Sequence, residues 1–244
     1  MTGVRWTLLT FLLTLARPVV AGPPYFSDDP EPTPYRHYEI YLFTNGTTTR
    51  DGTRGAAGID FNYGGAPDLQ LTAVVPLAYD SAAGGGTATG LGHIEVAAKY
   101  RFLHQDSFGL DVAVFPRLFL PAGSSRMGED HASLLLPIWV EKDWDSWSGF
   151  GGGGCVINRG GESQDFCIMA WAVTRQVLPH LQLGGEVYHQ TADTRGGRAA
   201  TGAGGGLRYD VNENYHLLAY ASVGIQNADE TNRSSWYTAL LFTY

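Results

Sequence analysis

The sequence predicts an all-β protein: a transmembrane antiparallel β-barrel of about twelve strands, preceded by an N-terminal signal peptide. Three observations lead there. Apolar and polar residues alternate with strand period through most of the chain. The links between these runs are alternately long and short. The stretch Trp236 to Tyr244, "WYTALLFTY", places Trp236, Leu240, Phe242 and Tyr244 on one face of a strand.

Composition agrees. The chain has 244 residues, 32 of them glycine, with 12% aromatic and only 16% charged residues. Soluble domains carry about 25% charged residues, so the shortfall favours a protein in contact with something other than water. The net charge of −8 supplies no basic stripe to displace counterions from a nucleic acid, which is excluded as a partner. No cofactor or metal is expected: zinc-spaced cysteine or histidine pairs are absent, as is a G-x-S-x-G nucleophile elbow.

Arg5, the apolar run Trp6 to Leu15 and the small-residue site ending at Ala21 form the three parts of a secretory signal. The run is too short to span a bilayer as a helix. The expected layout is a signal peptide over 1–21, a Pro-rich acidic periplasmic segment over 22–35, and a barrel over 36–244. Export makes a disulfide between Cys155 and Cys167 a candidate, since turn-forming residues separate them; two independent thiols are the alternative.

The strand runs fall near residues 36–45, 54–63, 67–79, 90–103, 107–119 and 132–142. The others lie near 146–157, 164–175, 179–190, 197–209, 213–225 and 234–244. Most are about 10–13 residues long, the length a tilted strand needs to cross a membrane. Long links such as "NGTTTRDGTRG", "DSAAGGGTATG" and "TADTRGG" alternate with tight ones such as "YGGAPD", "KDWDS" and "DVNEN". Outer loops and periplasmic turns of outer-membrane barrels differ in this way. Closure pairs the final strand with the first, which explains an ordered aromatic end. Trp236, Leu240, Phe242 and Tyr244 also resemble the C-terminal signal read by the barrel-assembly machinery.

The face opposite the apolar one is the expected lumen. It carries His37, Glu39, Asp60, His93, Glu95, Lys99, Arg101, Asp111, Arg117, Glu141, Glu186, Arg208 and His216. Both signs are present, which suits either a lattice of ion pairs filling the barrel or a charged conduit that filters solutes. Glu95, Lys99, Arg101, Asp111 and Arg117 are expected at its middle.

Other motifs weigh less. Gly149, Gly151 and Gly154 match G-x-G-x-x-G, but no helix follows, and these glycines and those of Gly202 to Gly206 read as room for bending or for aromatic neighbours. A lipid-acting enzyme would use His189 with Thr191 and Asp193; an interfacial histidine is the simpler reading. "GEDH", Gly128 to His131, reads as a solvated acidic loop rather than a cation site.

Five prolines between Pro23 and Pro34 make 22–35 extended, and Asp28, Asp29 and Glu31 make it acidic. It either hangs in the periplasm or folds into the lumen against Arg101 and Arg117 as a plug. The order Pro-Pro-aromatic, Asp-Asp-Pro-Glu-Pro, then a first strand with aromatic-Glu-Ile-Tyr (Gly22 to Phe43) resembles the opening of a family of proteobacterial outer-membrane proteins. They are described as transporters or as MetA-like, linked to phenol degradation. The resemblance implies a barrel that passes small, aromatic or hydrophobic molecules, and carries over no functional residues. The expected function is therefore passive passage of a small solute, with outer-membrane lipid as surroundings, in a Gram-negative outer membrane. The alternatives are a lipid-acting enzyme and a closed structural or adhesive barrel.

Overall fold

The structure, a computed structural model, describes residues 24–122 and 131–244. The expected signal peptide and all but His131 of the Gly128–His131 stretch lie outside these residues. Fourteen strand segments form one antiparallel sheet: β1 (Tyr38–Thr49), β2 (Gly52–Ala66), β3 (Leu69–Ala82), β4 (Thr87–Leu91), β5 (Ile94–Leu103), β6 (Asp111–Val114) and β7 (Arg117–Leu120), then β8 (Ser133–Trp144), β9 (Trp147–Ile157), β10 (Phe166–Leu178), β11 (Leu181–Gln190), β12 (Ala200–Asp210), β13 (Tyr215–Gln226) and β14 (Ser234–Thr243). Two one-turn helices, α1 (Gln105–Phe108) and α2 (Ala228–Thr231), sit in connections.

The segments make twelve wall strands. β4 and β5 both pair with β3, broken only at Gly92 and His93. β6 and β7 both pair with β8, broken at Phe115 and Pro116, where proline has no N–H to give the ladder. The sheet closes between β1 and β14, from Glu39 opposite Thr243 to Thr48 opposite Ser234. Tyr244 completes the seam: its carbonyl accepts from Tyr38 N at 2.7 Å, and its N–H donates to Tyr38 O at 3.0 Å. Closure leaves no open edge at this seam, which lipid requires.

Alternation sets what each face meets. Leu42, Ile59, Val75, Leu77, Leu136, Ile138, Trp171, Val187 and Leu240 point outward and are exposed. An apolar belt of this extent marks an interaction surface, here the bilayer. At the end with the short turns, Tyr38, Trp144, Trp147, Tyr209, Tyr215 and Tyr244 are exposed and form an aromatic girdle. The Tyr244 hydroxyl donates to that of Tyr215 at 3.1 Å. Inward, Trp139 and Phe150 on β8 and β9, and Leu218 and Leu241 on β13 and β14, are almost fully buried.

Several boundaries differ from the sequence reading. The expected long link at 45–55 is a tight hairpin, because β1 runs to Thr49 and β2 starts at Gly52 with Thr49 opposite Gly52. The link at 80–90 is likewise mostly ladder, with Ser81 opposite Thr87. Their glycines and threonines read as loop chemistry, yet each hairpin keeps its backbone bonds beyond the lipid. The run expected at 107–119 begins later, at Asp111, because α1 occupies the turn before it. Cys155 and Cys167 lie directly opposite on β9 and β10 and are joined by a disulfide.

Deleting Phe242 to Tyr244 removes the periplasmic end of the seam. The folded fraction, read as the band whose mobility changes on boiling before a denaturing gel, is expected to fall sharply, while full-length protein shows that heat-modifiable band. Equal folded fractions would contradict the seam's role.

Candidate functional site: a strap across the lumen

Residues 24–34 lie inside the barrel and cross it from the β9–β13 wall to the β2–β5 wall. At the first wall the Tyr25 ring packs edge-on to Phe150 and Tyr220, with centroids 5.7 Å apart in each case. Phe26 stacks on Tyr188 at 4.8 Å. Glu186 then takes three donors from the strap: Phe26 N at 3.0 Å, and the N–H and hydroxyl of Ser27, both at 2.6 Å. Across the lumen, Lys99 Nζ meets Asp28 at 2.8 Å and Asp29 at 3.4 Å. It also donates to the Glu31 carbonyl at 3.3 Å. Gln70 Oε1 accepts from Thr33 N at 2.8 Å and from its hydroxyl at 3.0 Å.

Proline explains why this segment suits the task. Its residues neither form a helix nor need a strand partner, so Pro30, Pro32 and Pro34 hold an extended run whose remaining N–H groups are met by side chains. Glycines make the seat. A Cβ at Gly184 would overlap the Tyr25 hydroxyl, and one at Gly206 would lie 3.0 Å from its ring. Gly202 and Gly204 make the same room for Tyr188 and Tyr220. Gly64 leaves the space taken by the Pro34 carbonyl as the strap exits. In the Gly149 to Gly154 run, Trp171 lies across Gly151 on the outer face, and the segment is strand throughout.

The strap turns to Lys99 rather than to Arg101 and Arg117, correcting the sequence expectation. Both arginines are already engaged. Arg117 grips Glu95 with two bonds, at 2.7 and 2.9 Å. Arg101 holds Asp68 at 3.1 Å and Asp111 at 3.7 Å. Asp68 lies in the β2–β3 turn, so Arg101 and Asp111 belong to the periplasmic end rather than the middle. Burial pushes the Asp29 carboxyl well above the usual carboxylate pKa, and the Lys99 ammonium opposes that shift.

The other candidates divide. Glu39, Asp60, Glu95, Lys99 and Arg117 line one cavity beside the strap. Glu141 is buried and accepts from the Ser148 hydroxyl. His37 precedes β1, is exposed at the periplasmic rim, and does not line the lumen. His93 sits half-buried in the β4–β5 break. Arg208 and His216 converge on Asp210, at 2.9 and 2.6 Å, and His216 Nε2 reaches the Thr243 hydroxyl at 3.2 Å. Acid, imidazole and hydroxyl in that order resemble a hydrolase relay. Here the hydroxyl donates to the Glu213 carbonyl at 3.0 Å, and the chain laces the ends of β12, β13 and β14 together.

His189 lies on the outer face, bonded to Thr201 at 2.8 Å. Thr191 accepts from Cys167 N, and Asp193 accepts from Gln190. These three side chains therefore do not converge.

Two cavities remain around the strap. An outer vestibule of about 1000 Å³ has Phe26, Tyr188, Tyr220 and Tyr237 toward the strap, with Arg50, Arg54 and Arg198 at its rim. An inner chamber of about 260 Å³ runs beside Ser27 to Pro34. They meet at Pro24, Tyr25, Phe26 and Tyr237, which line both. Sequence reasoning missed the vestibule aromatics, although Tyr188, Tyr220 and Tyr237 share the inward parity of the charged residues.

A closed twelve-stranded barrel with an apolar belt, an aromatic girdle and a polar lumen is the architecture of outer-membrane channels. The chain belongs to the family described as "Putative MetA-pathway of phenol degradation", whose profile matches residues 37–238. Among solved structures it is similar to an outer membrane channel from Pseudomonas putida F1, with a TM-score of 0.72 and 13% identity, covering 88% of this chain and 98% of that one. It is also similar to the KdgM porin, at TM-score 0.59 and 12% identity, over 84% of this chain and 99% of that one. For the NanC porin the values are 0.57 and 8%, over 83% and 98%. No curated protein sequence matches it.

Lys99→Met leaves Asp28 and Asp29 buried without their cation, at a cost of about 3–5 kcal/mol. Proteolysis within the strap of folded barrels is expected to accelerate by at least a hundredfold, about the factor that cost implies. Adding Asp28→Asn and Asp29→Asn is expected to restore most of the protection. Unchanged cleavage in Lys99→Met would show that the pair does not hold the strap.

Proposed function

We propose that the protein resides in the outer membrane of a Gram-negative bacterium and passes small solutes down their concentration gradient, with the strap as the plug that sets the bore. The layout follows the same reading: residues 1–21 are removed on export, 22–35 are the Pro-rich acidic segment whose residues 24–34 form the strap, and 36–244 form the barrel. Trp236, Leu240, Phe242 and Tyr244 serve as the signal to the assembly machinery. The observation that carries the proposal is the strap itself, which divides an otherwise wide lumen into two joined cavities. A twelve-stranded wall is larger than the eight strands that side chains alone can fill, so the strap supplies the missing occupant.

The aromatic floor of the vestibule supports small aromatic or hydrophobic solutes as cargo, in keeping with the phenol pathway that the family's description names. Names of channels and porins among the similar folds point the same way. The lipid-acting enzyme gains nothing from His189, because it bonds Thr201 while Thr191 and Asp193 are engaged with Cys167 and Gln190.

Single-channel recording in planar bilayers tests the proposal. Full-length protein is expected to give a small, steady conductance, and protein lacking residues 22–35 one several-fold larger. Silence from both, in protein shown to be folded, would overturn passage through the lumen.

A further inference from the structure

The inner chamber is lopsided in charge. Asp28, Asp29, Glu31, Glu39, Asp60 and Glu95 line it, against only Lys99 and Arg117. Both cations are locked to carboxylates, Lys99 to the two strap aspartates and Arg117 to Glu95. Three acids are left over. Asp60 accepts a single amide hydrogen bond, from Asn62 at 2.9 Å, and Glu39 accepts the Tyr41 hydroxyl at 3.3 Å. Neither they nor Glu31 has a lysine or arginine within ion-pair distance among the described residues.

The vestibule offers no counterweight. Its arginines are each spent on an acid: Arg54 on Asp80 at 2.9 Å, and both Arg50 and Arg198 on Glu230, at 3.5 and 3.1 Å. A solute crossing the chamber therefore meets surplus negative charge from the strap and from the adjoining strands β1 and β2, within a cavity of about 260 Å³. Low-dielectric walls focus such a field, and an ion that shares its sign must enter without a counterion.

We propose that Glu31, Glu39 and Asp60 make the chamber a charge filter that admits small cations, organic ammonium groups included, and turns back anions. This specificity rests on the reading that solutes pass beside the strap. What the lining fixes is the sign of charge that moves, with no resident ion required. Arg117 lies over the faces of Phe115 and Phe119, at 5.3 and 5.8 Å, which keeps the chamber's one arginine against the wall.

The test is the reversal potential of full-length protein in a KCl gradient. Burial raises the pKa of Glu31, so the recording is made at mildly alkaline pH, where carboxylates are ionised. K⁺ is expected to pass about ten times more readily than Cl⁻. Glu39→Gln with Asp60→Asn is expected to lower that ratio about threefold while conductance persists. Glu39→Asp, which keeps the charge, is expected to leave it near the starting value, and heat-modifiability confirms that each variant is folded. A conducting channel with no preference, or one that prefers Cl⁻, would overturn the filter and leave passage standing. An unchanged ratio in the double variant would overturn the assignment to these residues. A folded barrel silent both with and without residues 22–35 would remove passage, and the filter with it.

Discussion

The closed hydrogen-bond ladder is the constraint from which the rest follows. In lipid, a backbone N–H or C=O without a partner costs several kcal/mol, so every wall strand must be paired on both sides. Closure between β1 and β14 satisfies this at the seam, down to the reciprocal bonds of Tyr38 and Tyr244. Once the sheet is closed, period-two alternation allows only two environments. Leu42, Ile138, Val187 and Leu240 face lipid; Glu39, Lys99, Glu141 and Glu186 face inward. The breaks at Gly92–His93 and Phe115–Pro116 are tolerated because a neighbouring strand carries both halves of each.

An interior of this width creates the next problem. Charges that point into a lumen walled by protein cannot all be solvated, and an isolated buried ion is more costly than any contact it makes. The wall solves part of this alone, through Arg117 with Glu95 and Arg101 with Asp68 and Asp111. The strap completes it from outside the sheet. Lys99 on β5 receives two aspartates from a segment without regular structure, and Glu186 on β11 receives two backbone N–H groups and a hydroxyl. These contacts sit on opposite walls, so the strap is held at both ends of its crossing. The surplus acids that remain in the chamber then decide which charges find the path favourable.

The barrel was legible in the sequence because period-two patterning survives any register. Most wall strands, the outward apolar face and the polar lumen could be read from alternation and turn residues. Boundaries at the outer rim could not, since Gly-Thr-Arg chemistry around Arg50 and Asp51 is common to loops and to hairpins that keep their ladder. His37 shared the parity of Glu39 but lay one residue before β1, which parity alone does not show. The strap's partner was also hidden. Lys99, Arg101 and Arg117 look equivalent in sequence, and only register reveals that Arg117 lies beside Glu95 and that Arg101 reaches the β2–β3 turn. Gly206, within the Gly202 to Gly206 run, read as room for bending or for an aromatic neighbour, but Gly184 gave no such signal, and the ring that both seat, Tyr25, comes from a segment with no strand pairing to locate it.

The strap's seat is the centre of this account, and its most direct test is chemical. The chain has two lysines, Lys99 and Lys142, so a zero-length carbodiimide that joins amines to neighbouring carboxylates has few choices. Applied to folded protein in membranes and followed by peptide mapping, it should join Lys99 to Asp28 or Asp29. Lys99 recovered unlinked, and instead open to labelling by a water-soluble amine reagent, would contradict the account.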